Sequence, residues 1–183
     1  MTSSSGEWTD YTVTRKRIKN LRIAVKPPHG QVHVSAPWHV TDREIAQFVS
    51  SKAEWIARHQ ARIATLPPPV EAGPEAERLR RALKRLLPPL VEEWAERMGV
   101  EVPAIRVRRM TTRWGTCNTK TRTVTFNLEL ARREPELLEY VVVHELAHLR
   151  ERGHGAAFKA IMDRHLPDWR LLRRALNDGG IAQ

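Results

Sequence analysis

The sequence predicts an α+β protein in two parts, a small β-rich αβ module and then a domain in which a short sheet packs on an apolar helix. Three observations carry that expectation. Polar and apolar residues alternate around Leu21, Ile23, Val25, Val32 and Val34, the two-residue period of strands. Later segments space their apolar residues at the helical period. Between them stands Pro67, Pro68, Pro69, Gly73 and Pro74, a run that neither helix nor strand absorbs. The expected division is residues 1–66 as a basic N-terminal module, 67–74 as a proline-rich linker and 75–183 as the larger domain.

From Tyr11 to Ser35 the alternation, interrupted by Pro27, Pro28 and Gly30, predicts a small antiparallel β unit. Thr41 followed three residues on by Glu44 is a capping box. It predicts a helix to about Ile63 with Ile45, Phe48, Val49, Trp55 and Ile56 as its apolar stripe. Glu75 to Met98 carries helical spacing through Leu79, Leu83, Leu87, Val91 and Trp94. Pro88 and Pro89 predict that it breaks into two pieces, the second ending at Gly99. Ile105–Met110 and Thr123–Asn127 are expected as strands joined through residues 113–122. The best-defined helix runs from Pro135 to about Glu151, with proline in the first turn and Gly153 past the end. Its centre, Val141 to Val143, is uninterruptedly apolar. Helices over 156–165 and 168–177, separated by Pro167, close the chain.

A chain of 183 residues can build one substantial core together with a smaller module. Its single cysteine, Cys117, excludes an intramolecular disulfide framework and suits a reducing cytoplasm, the expected location. The polar first ten residues and the lack of a long apolar run predict an unprocessed, soluble protein with no membrane partner. The net charge is +10, with ten lysines and arginines against five acids in residues 1–66 and twenty-one against sixteen beyond. Such a balance suits acidic partners, nucleic acid or a nucleotide among them, and equally an ordinary solvated surface.

Chemistry concentrates in His144-Glu145-Leu146-Ala147-His148, an HExxH segment within the apolar helix. Residues four apart share a helix face, so both imidazoles can reach one zinc ion, with Glu145 beside a zinc-bound water. A catalytic zinc takes three protein ligands and keeps a fourth position open. His154, after Gly153, is the foremost candidate for the third ligand; Asp163, His165 and Glu151 are weaker ones. Arg113 and Tyr140 are candidate substrate or oxyanion contacts, against a surface ion pair for Arg113 and a core position for Tyr140, the latter being the favoured reading. Cys117 is expected as a structural thiol. Burying two imidazoles and a carboxylate without a metal would strand polar groups, which favours a metal site over a chance match.

Arg113-Trp-Gly-Thr-Cys117, Asn127 to Leu130, and Val143 to His148 followed by Gly153-His154 resemble the YgjP-like metallopeptidase family, a relative of the SprT-like zinc proteases. The likeness runs through most of the chain and is most specific in these segments. It implies a zincin-like fold, one Zn2+ per chain on His144, His148 and His154, and Glu145 as catalytic base. The family often has serine where Thr116 stands and cysteine where Ala147 stands, neither a ligand position. The expected function is a zinc metallopeptidase that cleaves peptide or protein substrates by Glu145-assisted attack of a zinc-bound water. The alternatives are a metal-dependent nucleotide phosphoanhydride hydrolase and a protease recruited to nucleic acid through its basic surface.

Overall fold

The computed structural model describes residues 10–26 and 28–178. The chain divides into two compact units, Met1–Pro68 and Pro69–Gln183.

The first unit contains β1 (Tyr11–Arg15), β2 (Arg22–Lys26) and β3 (Gln31–Ala36), followed by α1 (Asp42–Ser50) and α2 (Ala53–Ala64). Val32, Val34 and Ala36 make β3 the most buried strand, and it takes the centre of the sheet in the order β1-β3-β2. β2 and β3 form the expected antiparallel pair, with Ile23 opposite Val34 and Val25 opposite Val32. β1 instead runs parallel to β3, so the sheet is mixed rather than antiparallel. The cause is the insertion of β3 between two strands that already ran in opposite directions. One sheet face is covered by Ile45, Val49 and Ile56 from the two helices.

The capping box forms as expected: the Thr41 hydroxyl accepts from the Glu44 N–H at 3.3 Å, and the Glu44 carboxylate accepts from the Thr41 N–H at 2.7 Å. The single helix expected from Thr41 to Ile63 is in fact two, separated at Ser51 and Lys52. There the Ser51 hydroxyl donates to the Phe48 carbonyl at 2.7 Å, a local bond that competes with helix continuation.

The second unit opens with α3 (Pro74–Met98), then β4 (Ala104–Arg108), β5 (Gly115–Asn118) and β6 (Thr123–Asn127), a 3-10 turn at Leu128–Arg132, and α4 (Pro135–Ala147), α5 (Ala156–His165) and α6 (Trp169–Asp178). α3 is continuous across Pro88 and Pro89, where two pieces were expected. Both prolines lie on the exposed face, where carbonyls that lose an intrahelical partner meet water, while Leu83, Leu87, Val91 and Trp94 anchor the other face. Gly99 ends the helix in a left-handed conformation at φ 61°, which glycine adopts without strain. Val70, inside the segment expected as a linker, is buried in this unit, and its N–H donates to the Glu129 carboxylate at 2.5 Å.

The sheet order is β4-β6-β5, with β4 parallel and β5 antiparallel to β6, so β5 lies at an edge. α4 packs against α3, α5, α6, β5 and β6, and every residue from Tyr140 to Ala147 is buried. The uninterrupted apolar run Val141 to Val143 suits a helix at the centre of a domain, and α4 is there. It ends at Ala147 with His148 as its C-cap, a turn short of the expected Glu151. Among the described residues, no helix is long and apolar enough to cross a membrane.

Candidate metal centre

Three imidazoles converge at the end of α4. His144 comes from the helix's last turn, His148 from its C-cap and His154 from the loop before α5. Their candidate ligand atoms all lie within 4.8 Å of one another. Nε2 of His154 stands 3.1 Å from Nε2 of His144. His148 Nδ1–H donates to the Glu151 carbonyl at 3.1 Å, which leaves its Nε2 lone pair free. The Tyr140 hydroxyl lies 3.4 Å from His144 Nδ1, on the side of that ring away from His154. Phe158, 1% exposed, forms a common floor, its ring centroid 5.0, 4.8 and 4.7 Å from those of His144, His148 and His154.

This environment holds the imidazoles neutral, the form that binds metals. Burial, reinforced by the neighbouring His148 and His154 and by Arg173 of α6, brings the pKa of His144 down to about 3. His148 is lowered chiefly by burial, against the opposing pull of the Glu151 and Arg152 backbone. His154 is lowered by burial, then by His148 and Arg173. The donor set fits a metal ion on geometry as well as charge. Two nitrogens ~2.0–2.1 Å from one tetrahedral zinc lie roughly 3.3–3.4 Å apart, close to the observed His144–His154 separation of 3.1 Å.

Glu145, 3% exposed, follows His144 on the helix, and its carboxyl arm lies against the backbone of β5 at Gly115. Cys117 of β5 is half-buried; burial first and the Glu145 charge second raise its pKa to about 11, so it is a protonated thiol at neutral pH. Tyr140 is fully buried, and burial above all raises its hydroxyl to about 12. Its hydroxyl therefore meets His144 within the core. The Arg113 side chain is exposed, while its carbonyl accepts from Asn127 Nδ2 at 2.8 Å.

The three weaker ligand candidates are engaged elsewhere. Asp163 accepts from Trp169 Nε1 at 2.7 Å and pairs with Arg170. His165 meets the Trp94 ring edge-on at 6.3 Å. Glu151 contributes its carbonyl to His148, and its carboxylate accepts from the Gly153 N–H. Phe158 and Arg173 were not singled out from the sequence, and Gly115 was noted only within the Arg113–Cys117 segment. Helical spacing marks Phe158 only as a core residue, and nothing local announces that its neighbours are imidazoles.

An α+β domain that turns three neutral imidazoles to one point, two of them from an HExxH helix that also carries a buried glutamate, is built as metal-dependent hydrolases are. Residues 19–78 and 75–179 match the family described as YgjP-like, metallopeptidase domain. The chain belongs to the YgjP-like metallopeptidase family and is a hydrolase of that class, which works with a bound metal. Similar solved structures include two metallopeptidase zymogens. For abylysin of Pyrococcus abyssi the identity is 22%, the match covers 51% of this chain and 95% of that one, and the TM-score is 0.47. For jannalysin of Methanocaldococcus jannaschii the values are 21%, 48%, 90% and 0.44. No curated protein sequence matches the chain.

Proposed function

We propose that the chain is a zinc-dependent peptidase in which His144, His148 and His154 hold the ion and Glu145 carries the proton. The observation behind this is the convergence of three neutral imidazoles, with ligand atoms within 4.8 Å, on a helix whose next residue after His144 is the 3%-exposed Glu145. Bound zinc supplies Lewis acidity, which acidifies water towards neutral pH and polarises a carbonyl. Glu145 takes the proton of the attacking water and returns it to the nitrogen of the leaving amine. The hydrogen bond from His148 to the Glu151 carbonyl fixes that ring's tautomer, and the Tyr140 hydroxyl steadies His144. Phe158 closes the inner side of the site to water.

The position of β5 favours a peptide over a phosphoanhydride. It is the edge strand of its sheet, and its first residue lies against Glu145. An extended peptide added along such an edge brings its backbone past the carboxylate.

Glu145→Gln preserves shape and removes the proton acceptor. The variant is expected to keep its zinc and to lose turnover of unfolded protein substrates by roughly 10²–10⁴-fold. Full activity in this variant would remove Glu145 from the mechanism. Phosphate release from nucleoside triphosphates that depends on Glu145, with no peptide cleavage, would overturn the choice of substrate.

A further inference from the structure

We propose that Gly115 is a positioning residue for Glu145: the missing side chain at this point of β5 is what seats the carboxylate. This rests on the role proposed above for Glu145.

A Cβ at position 115 would lie 2.6 Å from Glu145 Oε1, 2.7 Å from its Cγ and 2.8 Å from its Cδ. Favourable contact between carbon atoms begins at about 3.5 Å. The whole outer arm of Glu145 therefore rests on the strand backbone, and even a methyl group would enter its space. Conformation does not explain the glycine, because Gly115 is not among the residues with positive φ. Close approach does.

Something must yield when a methyl group is added, and the strand is poorly placed to do so. Trp114 and Asn127 are both 0% exposed. The Asn127 amide donates to the Met110 carbonyl at 2.7 Å and the Arg113 carbonyl at 2.8 Å, and its oxygen accepts from the Glu129 N–H at 3.2 Å. Its backbone N–H donates to the Trp114 carbonyl at 2.8 Å. Next along, Gly115 is paired with Phe126 across the sheet. The chain entering β5 is thus fastened to β6 on both sides of the close approach. α4 is equally fixed, buried on every face around position 145. The Glu145 side chain, with its rotatable bonds, is the part that yields, so the carboxylate is displaced from its seat while the imidazoles keep theirs.

The test is Gly115→Ala in the intact chain, alone and combined with Glu145→Ala. Alone, Gly115→Ala is expected to keep the zinc content of the wild type. Its kcat should fall about a hundredfold, the effect of misplacing a reacting group by an ångström, with KM within a few-fold. Its melting temperature should drop, and most of that drop should vanish when Glu145→Ala makes room for the added methyl. A variant that folds only when combined with Glu145→Ala would support the contact just as well. An equal loss of stability with and without the Glu145 side chain, including failure to fold in both, would overturn the proposal. So would unchanged kcat in Gly115→Ala while Glu145→Gln is inactive. If Glu145→Gln retains full activity, the proton-carrying role fails instead, and the stability comparison still decides whether Gly115 seats the side chain.

Discussion

Burial decides the chemistry of each histidine in the cluster. For His144 the folded pKa of about 3 lies far below the usual value near 6.5, because the ring is buried and faces other imidazoles and Arg173. Between those two pH values the unfolded chain holds a proton at this residue that the folded chain refuses. The contribution of His144 to stability is therefore complete above about pH 6.5 and is lost, by up to about 1.4 kcal/mol per pH unit, as the pH falls towards 3. Metal-free protein unfolded in urea from pH 7 to pH 4 should lose stability with this slope, and His144→Gln should flatten it. The same slope in both would mean that His144 does not titrate as its surroundings dictate. The pair His144 and His148 was legible in the sequence because one helix fixes their spacing. His154 was legible as the next histidine beyond the helix, although the helix ends at Ala147 and not beside Gly153. Arg173 and the contact of Gly115 were not, since they reach the site from α6 and β5, far away in sequence, and Phe158, though near His154, carries no signal beyond a core aromatic. Tyr140 was seen as a neighbour of the site, but only burial assigns its hydroxyl to the back of His144.

Among the elements, prolines and local hydrogen bonds account for the departures from expectation. A proline inside a helix removes one hydrogen bond and crowds the preceding turn, which is why α3 was expected to break. It stays whole because Leu83 and Leu87 precede Pro88 and Pro89, Val91 and Trp94 follow them, and all four enter one core. That cost is borne rather than avoided, and its removal is measurable. Pro88→Ala and Pro89→Ala should each raise the unfolding free energy by about 1–3 kcal/mol in urea titrations. A loss of stability in either would show that the ring makes contacts that outweigh the missing bond. The break between α1 and α2 went unseen because a serine hydroxyl turning back to Phe48 leaves no trace in periodicity. β5 was read as part of a connection because four residues containing glycine lack a strand pattern, and β6 supplies the pairing that makes it one. The capping box, by contrast, is a purely local signal and formed as written.

For the molecule as a whole, the change from strand to helix periodicity and the proline run between them made an α+β chain legible. The observed division falls at Pro68–Pro69, and Val70 and Pro74 of the expected linker belong to the second unit. One apolar residue among prolines was enough to tie that segment to a core, which composition alone does not reveal. All three imidazoles, Glu145 and the β5 edge lie in that second unit, so one core supports the entire centre. Along the wholly buried stretch of α4 from Tyr140 to Ala147, His144 and Glu145 are the buried polar residues. A core helix of this kind makes sense when an ion satisfies the buried nitrogens, and binding must then stabilise the fold. Elemental mass spectrometry of the intact, purified chain beside His154→Ala tests this most directly. About one zinc per wild-type chain, lost or sharply reduced in the variant, is the predicted result for a site with three protein ligands. Absence of metal in the wild type even after zinc is supplied, or equal zinc in both proteins, would contradict the three-histidine centre.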